Sequence, residues 1–332
     1  MKISIVIVSY NVKDYICQCI RSIYKSNLNQ SQYEIIVIDN DSHDGTLDAI
    51  KQNFDKVILH QNNINEGFSK AVNKGIDLSK GEYICILNPD VIIQETTLSN
   101  LLNFYSSNSE LGAIGPKILN SDGTIQHSCK RSFPTPLNSL FRLIGLDRIF
   151  PKSKFFGQYN LTYLDIEKQH EVDVISGACM MIPSKVFQKI GNFDERFFMF
   201  GEDIDICHRI KAAGYKIYYT PISEIIHYKG ESVKNAPFDM INVFYSAMDI
   251  YFKKYSQKYK YWNLISLIVK VGLFLRKSLS YSKLLITNLI SVFVDIFSII
   301  ISFSLSIYLW YSYQYYEIVE FSKVSYHYLL IF

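Results

Sequence analysis

The sequence predicts an α/β fold with a mainly parallel central sheet, followed by a hydrophobic helical C-terminal region. Strand-like and helix-like segments alternate over residues 1–90, and polar side chains follow three of these strands. A long apolar run lies in the last third of the chain. Such alternation is typical of a parallel sheet covered by helices on both faces. We therefore expect a ligand site beyond the carboxyl ends of the strands.

Short apolar runs predict the strands, and amphipathic segments between them predict the helices. The expected strands are 3–8, 35–38, 57–59 and 83–87, and the expected helices lie near 16–24, 44–54 and 68–76. A further helix is expected from Ser184 until Gly191 ends it, and another over about 203–213. Residues 215–219 and 224–227 predict two more short strands.

The composition limits the classes of partner. The net charge of the 332 residues is only +3, which disfavours nucleic acid as the main partner because phosphate binding usually requires a strong basic excess. The six cysteines include no CxxC pair and fit neither a zinc site nor a disulfide framework. This cysteine usage favours a reducing, intracellular compartment.

The C-terminal region is predicted to contact a membrane. Residues 284–310 are almost wholly apolar and exceed the roughly 20 residues that span a bilayer. Asp295 is their single charge and would cost about 3 kcal/mol at the bilayer centre, which its apolar neighbours could outweigh. An interfacial helix or a face against another subunit are the alternatives. We divide the chain into a domain over 1–238 and a membrane-associating region over 239–332.

Candidate chemistry lies at the predicted ligand edge and in one acidic stretch. Asp90 follows the fourth strand, and its carboxylate suits Mg²⁺ or Mn²⁺, although Asn, Pro and Asp also favour plain turns. His227 becomes a second ligand only if the fold brings it beside Asp90. Glu202 and Asp203 follow an aromatic run, and either is a candidate general base. Helix capping explains part of this acidic stretch but not the aromatic run.

Seven short motifs occur in a fixed order along the chain. They are Val8-Ser9-Tyr10-Asn11, Ile38-Asp39-Asn40-Asp41-Ser42, Asn65-Glu66-Gly67-Phe68, Leu87-Asn88-Pro89-Asp90, Ser176-Gly177-Ala178, Gly191-Asn192-Phe193-Asp194 running on to Glu202-Asp203, and His227 with Gly230 and Ser232. Together they resemble family 2 glycosyltransferases, which have the GT-A nucleotide-sugar-binding fold. The pattern is most similar to the bacterial rhamnosyltransferase-like branch and covers about residues 1–235.

The resemblance implies a role for each matching residue. The donor-binding positions would be Ser9, Tyr10, Asn11, Asp39, Asn65, Lys70, Asn88 and Gly177, with Asp39 at the base and Gly177 near the donor sugar or the acceptor. Asp90 matches the last acid of the family's DxD metal motif and His227 a metal-binding position, so they would hold Mn²⁺ or Mg²⁺. The first DxD position is Asn88 here, which leaves fewer charged ligands. Asp203 would be the catalytic base, with Glu202 as the alternative.

The implied activity is inverting transfer of a sugar such as rhamnose from a dTDP- or UDP-linked donor. The acceptor would be a lipid-linked saccharide at the cytoplasmic face of the cell membrane, in cell-surface polysaccharide synthesis. A nicotinamide-dependent oxidoreductase shares the βαβ start, but residues 9–14 lack the G-x-G-x-x-G that binds a pyrophosphate. The other alternative is a non-catalytic GT-A-like membrane scaffold, which a turnover assay would separate from the enzyme.

Overall fold

The computed structural model describes residues 1–108, 110–228, 230, 239–255 and 262–329. The strands are β1 (Ile3–Ser9), β2 (Tyr33–Asp39), β3 (Val57–Gln61), β4 (Tyr83–Leu87), β5 (Val91–Ile93), β6 (Leu111–Leu119), β7 (Lys130–Arg131), β8 (His170–Glu171), β9 (Val174–Ile175), β10 (Cys179–Pro183) and β11 (Lys216–His227). The helices are α1 (Lys13–Tyr24), α2 (Thr46–Asn53), α3 (Phe68–Leu78), α4 (Thr97–Ser106), α5 (Pro136–Leu143), α6 (Leu146–Ile149), α7 (Ser184–Ile190), α8 (Glu202–Ala212), α9 (Met240–Tyr255) and α10 (Trp262–Leu329).

Nine strands form the central sheet, in the order β3-β2-β1-β4-β10-β6-β11-β5, with β8 also paired to β11. The first four in this order are mutually parallel, as are β6 and β11. Strands β5, β8 and β10 run in the opposite direction. Six strands of this sheet therefore share one direction, which confirms the predicted α/β class with a mainly parallel sheet. A separate two-stranded ladder joins β7 to β9.

The parallel half of the sheet is buried because its strands are almost continuous runs of Ile and Val. Every residue of β1 and β2 is buried, as expected for strands covered on both faces. Helix α3 packs unusually close to β1, since a Cβ added at Gly75 would lie 2.3 Å from Val6 Cγ1. Glycine at this position lets the loop that precedes α3 approach the carboxyl ends of β1 and β2.

Two predicted boundaries are wrong. The two strands expected at 215–219 and 224–227 form one strand, β11, which begins at Lys216 and whose pairing with β6 shifts register between Thr220 and Glu224. Pro221 lies inside this irregularity and has no N–H to donate, which explains why the sequence reads as two strands. The helix expected from residue 44 begins at Thr46, because Gly45 precedes it in a left-handed conformation with φ of 81°.

An ion-pair network joins α9 to α8. Asp205 on α8 is fully buried, and its carboxylate accepts hydrogen bonds from Arg209 Nε at 2.9 Å, Lys254 Nζ at 2.6 Å and Tyr255 Oη at 2.7 Å. Lys254 also reaches Asp194 at 2.6 Å. Helix α9 is therefore held against the helix that carries the acidic stretch, and it belongs to the compact unit Met1–Val271. The proposed boundary at 238/239 stays a prediction, and residue 238 lies outside the described residues.

The second unit begins at Gly272 and consists of the rest of α10. Its segment Lys277–Tyr316 is 40 residues long and has a mean hydropathy of 2.4, and none of its most apolar stretch is buried. Among the described residues it is the one helix that length and composition allow to cross a membrane. At 1.5 Å per residue it extends about 60 Å, about twice the thickness of a bilayer's hydrocarbon core.

We expect Asp205→Ala to destabilise the first unit strongly. It would remove the buried carboxylate that Arg209, Lys254 and Tyr255 share, and breaking a buried pair costs at most about 3–5 kcal/mol. Asp249→Ala is the matched control, because Asp249 forms an exposed pair with Lys253 on α9 and such pairs contribute about 0–1 kcal/mol. Urea denaturation of both variants tests this, and equal losses of stability would contradict the proposed network.

Candidate active site

A cleft of about 370 Å³ opens at the carboxyl ends of β1 and β4. Nine of the predicted site residues line it, namely Ser9, Tyr10, Asn65, Asn88, Asp90, Gly177, Glu202, Asp203 and His227. Asn40, Phe68, Gln126, Met199, Phe200 and Gly230 complete much of its wall. Three predicted donor-binding residues, Asn11, Asp39 and Lys70, are not part of the cleft lining. Ser232 lies outside the described residues.

Asp39 is fully buried beneath the cleft rather than exposed in it. Its carboxylate accepts hydrogen bonds from Ser9 Oγ and from the Ser42 backbone N–H, each at 2.9 Å. Ser42 Oγ in turn accepts from the backbone N–H of Asn11, which has a positive φ of 51°. Asp39 thus fixes the shape of the two loops that follow β1 and β2. Its predicted contact with a nucleotide base stays a prediction.

Asn40 organises the adjacent wall of the cleft. Its side chain donates to Asn65 Oδ1 at 2.8 Å and accepts from Asn62 Nδ2 at 2.9 Å and from the Glu66 backbone N–H at 3.1 Å. One amide therefore holds together the loops that follow β2 and β3. Lys70 lies beside this loop with its ammonium 3.5 Å from a Glu66 carboxylate oxygen and its side chain half exposed.

Asp90 and His227 face each other at 3.2 Å between Oδ1 and Nε2, and both side chains are buried. Pairing of β5 with β11 brings them together, since His227 lies opposite Val91. His227 Nδ1 lies 3.0 Å from Gln126 Oε1, and Gln126 Nε2 donates to Asn120 Oδ1 at 3.2 Å. Gln126 Oε1 can only accept a hydrogen bond. A neutral His227 imidazole must therefore carry its proton on Nδ1 to pair with it.

A neutral His227 then presents the lone pair of Nε2 to Asp90 Oδ1, for which the described residues supply no hydrogen-bond donor. Two acceptors at this distance repel each other unless a cation lies between them. The pair therefore suits a divalent metal, and Gln126 supplies the second contact that orients metal-binding histidines. The described residues contain no cluster of three or more His, Cys, Asp or Glu that could hold a metal. Two protein ligands are the usual number for Mg²⁺ that also binds substrate phosphates.

Asp203 is the second residue of α8 and also lines the cleft. Its Oδ2 forms an ion pair with the Arg131 guanidinium and accepts the backbone N–H of Gly177 at 3.3 Å. Burial acts to lower the pKa of Arg131, but the Asp203 carboxylate outweighs it and raises that pKa above its usual range. The guanidinium therefore stays cationic, and the Asp203 side chain remains 14% exposed toward the cleft.

Glu202 differs from its neighbour because its carboxyl group has lost almost all contact with water. Burial raises its pKa to about 8, and the nearby negative charge of Asp203 adds to the effect. Glu202 Oε2 has no hydrogen-bond partner among the described residues. Most Glu202 side chains therefore keep their proton at neutral pH and are unable to accept another.

Sequence reasoning missed Gln126 and Arg131. Both lie in the irregular stretch after β6, where no periodic pattern marks an inward-facing side chain. Arg131 is placed by the short pairing of β7 with β9, in which it lies opposite Val174. A glutamine or arginine in a loop is usually solvated, so neither residue carries a local signal of its role.

Similarity to known protein families identifies the class of protein to which this fold and cleft belong. Residues 4–191 match the family described as Glycosyl transferase family 2, and residues 155–331 match Glycosyl transferase family group 2. The chain therefore belongs to glycosyl transferase family 2.

Curated relatives include two rhamnosyltransferases. The N-acetylglucosaminyl-diphospho-decaprenol L-rhamnosyltransferase of Mycobacterium tuberculosis is 29% identical over 214 residues, which cover 61% of this chain and 69% of the relative. Rhamnosyltransferase WbbL of Escherichia coli is 27% identical over 235 residues, which cover 68% of this chain and 82% of the relative. These similarities confirm the resemblance to rhamnosyltransferases, at an identity that leaves the sugar open.

Solved structures confirm the GT-A-like fold. The mannosyltransferase PcManGT from Pyrobaculum calidifontis, in complex with GDP-Man and Mn²⁺, gives a TM-score of 0.53 at 16% identity, covering 82% of this chain and 69% of that one. GalNAc-T7 with UDP, GalNAc and Mn²⁺ gives 0.53 at 18% identity, covering 79% of this chain and 52% of that one. At such identities the likeness concerns the fold alone.

The raised pKa of Glu202 predicts a pH dependence of stability. The unfolded carboxyl group loses its proton near its ordinary pKa of 4.5, whereas the folded one keeps it until about 8. Its contribution to stability is therefore full below 4.5 and is lost as the pH rises through this window, by at most about 1.4 kcal/mol per pH unit.

Glu202→Gln abolishes this titration with little change in shape. The melting temperature of the variant relative to wild type should therefore rise from about pH 5 to about pH 8. Asp173→Asn, on a carboxylate near α8 that is 36% exposed, serves as the control. A constant difference between Glu202→Gln and wild type across this range would show that Glu202 titrates normally.

Proposed function

We propose that the protein is an inverting glycosyltransferase that moves a sugar from a nucleotide-diphosphate donor to a hydroxyl group of a saccharide acceptor. The observation that carries this proposal is that the Asp203 carboxylate and the Asp90–His227 pair line the same cleft. Inversion requires a base on the acceptor side and stabilisation of negative charge on the leaving-group side. The two sets of residues suit these two tasks.

In the proposed reaction, the acceptor hydroxyl oxygen bonds to the anomeric carbon while the bond to the nucleoside diphosphate breaks. The hydroxyl proton passes to Asp203, and the bonding electrons leave with the diphosphate. Arg131 and the Gly177 N–H contact Oδ2 of Asp203, whereas Oδ1 accepts only the Ile204 backbone N–H, at 2.8 Å, so the remaining lone pair of Oδ1 is the one that would accept the proton. The protonated carboxyl of Glu202 leaves Asp203 as the preferred base of the two.

Asp90 and His227 would hold Mn²⁺ or Mg²⁺, with donor phosphates completing the coordination. The bound metal would offset the negative charge that develops on the departing diphosphate. Both PcManGT and GalNAc-T7 were solved with Mn²⁺ and a nucleotide or nucleotide sugar, which supports a divalent cation in this fold. Asn88 Nδ2, 3.4 Å from His227 Nε2, occupies the place of a further carboxylate and lowers the negative charge of the site.

The proposed substrates are those that the names of the relatives suggest. We infer a dTDP- or UDP-linked donor, with rhamnose as the sugar, and a lipid-linked saccharide acceptor in cell-surface polysaccharide synthesis. The mycobacterial relative's name specifies a rhamnosyl transfer and a decaprenol diphosphate, and the apolar segment Lys277–Tyr316 is suited to contact with a membrane. The reaction would then take place at the cytoplasmic face of the cell membrane.

Asp203→Asn should lower the transfer rate by about 10²–10⁴-fold, because the amide is unable to accept the acceptor's proton. Donor binding should persist, since the role proposed for Asp203 is on the acceptor side. The transfer rate of Glu202→Gln should fall far less at pH 7, because the native Glu202 carboxyl group is already mostly protonated. Transfer assays and donor titrations on both variants test this. The reverse order of losses would assign the base to Glu202, and near-normal turnover of Asp203→Asn would refute the mechanism.

Donor binding should require the metal pair. A thermal-shift series with dTDP-rhamnose, UDP-glucose and UDP-N-acetylglucosamine, with and without Mn²⁺, measures this directly. A donor at about 100 times its Kd adds about 2.7 kcal/mol to stability. We expect a Mn²⁺-dependent shift with one donor that is lost in Asp90→Ala. Gln126→Leu should retain the site but weaken its affinity for Mn²⁺ by about 10–100-fold, since His227 loses its orienting contact. A shift independent of Mn²⁺ would exclude the metal role.

A further inference from the structure

The segment 136–156 exposes a concentration of large apolar side chains that the reaction does not use. Exposed fractions of these side chains are Leu137 50%, Leu140 47%, Ile144 56%, Ile149 66%, Phe150 49% and Phe155 57%. Within the described residues 1–255, these six account for nearly half of the thirteen exposed large hydrophobic side chains, and the other seven are scattered. Concentrated apolar exposure of this kind marks an interaction surface.

The segment is folded, so the exposure of these side chains is a property of its native structure. Helix α5 begins with a capping box in which Thr135 and Asn138 exchange hydrogen bonds, and Pro136 occupies its first position. Phe141 packs on Phe155 and Phe156 with ring centroids 4.9 and 5.0 Å apart. These contacts hold α5, α6 and the following turns together. Phe150 and Phe155 contact this aromatic cluster by one side and remain about half exposed, as do Leu137, Leu140, Ile144 and Ile149.

The charge of the same segment identifies the chemistry of its partner. Residues 136–156 contain four basic side chains, Arg142, Arg148, Lys152 and Lys154, all of them exposed. The single acid, Asp147, is buried and paired with Arg142 at 2.6 Å. The exposed face therefore combines apolar side chains with an uncompensated positive charge. This combination is the signature of segments that lie in the interface of an anionic lipid bilayer.

We propose that segment 136–156 is a lipid-docking surface that inserts its apolar side chains into the headgroup region of an anionic membrane. It is separate from the apolar part of α10 and belongs to the unit that contains the cleft. Arg131, which pairs with Asp203, is five residues before Pro136, so the surface begins within about 18 Å of it along the chain. Docking would thus present the cleft to substrates held in the membrane.

Site-specific fluorescence on the full chain tests this proposal. All six native cysteines are buried, so an environment-sensitive thiol dye selects a cysteine introduced by Ile149→Cys. Ile222→Cys, at an apolar position 52% exposed on β11, is the matched control. Both proteins are reconstituted in vesicles of phosphatidylcholine alone and of equal parts phosphatidylcholine and phosphatidylglycerol. Brominated lipids then report contact of the dye with acyl chains.

We expect the label at residue 149, but not at 222, to shift to shorter wavelength and to be quenched in phosphatidylglycerol vesicles. Lys152→Gln with Lys154→Gln should weaken this docking by about 30-fold, since each basic residue near an anionic surface contributes about a fivefold factor. Matching signals at 149 and 222, or equal signals in the two vesicle types, would overturn the proposal. So would a shift that grows with protein concentration without lipid, which identifies a protein interface. The readout is independent of sugar transfer.

Discussion

The ion pair between Asp203 and Arg131 determines the charge state of the cleft. Two carboxyl groups, Glu202 and Asp203, are adjacent in a poorly hydrated wall, where two negative charges would repel each other. The Arg131 guanidinium compensates one charge, and burial raises the pKa of Glu202 to about 8, so that it stays neutral. Neighbouring carboxyl groups with diverging environments are how proteins assign separate acid and base roles. Here burial raises the pKa of Glu202, while Arg131 pairs with Asp203.

The two halves of the sheet position different parts of the site. The parallel half ends in the loops that Asp39 and Asn40 hold rigid, and these loops form one wall of the cleft. The antiparallel pairing of β5 with β11 brings Asp90 beside His227. Strand β10, antiparallel to both β4 and β6, joins the two halves. The Asp90–His227 pair and these loops line the same cleft.

Local patterns predicted the parallel half well because each strand is a short Ile- and Val-rich run that ends in a polar motif. The same motifs led to most of the residues that line the cleft. Long-range contacts were not predictable: Arg131 reaches Asp203 through a two-residue ladder, and Gln126 reaches His227 from a loop. Asp39 shows the opposite limitation. Its position at a strand end gave no sign that two hydrogen-bond donors of the protein would hold its carboxylate.

The insertion between β7 and β9 connects the chemistry of the cleft to the proposed lipid surface. Its first strand, β7, carries Arg131, and β9 leads to Gly177, so both contacts to Asp203 Oδ2 flank segment 136–156 in the chain. A lipid-linked acceptor diffuses in two dimensions at a fixed height above the acyl chains. Contact of segment 136–156 with the headgroups would fix the height and tilt of the cleft relative to that acceptor. Such confinement raises the effective concentration of acceptor at Asp203 without any added contact to the sugar.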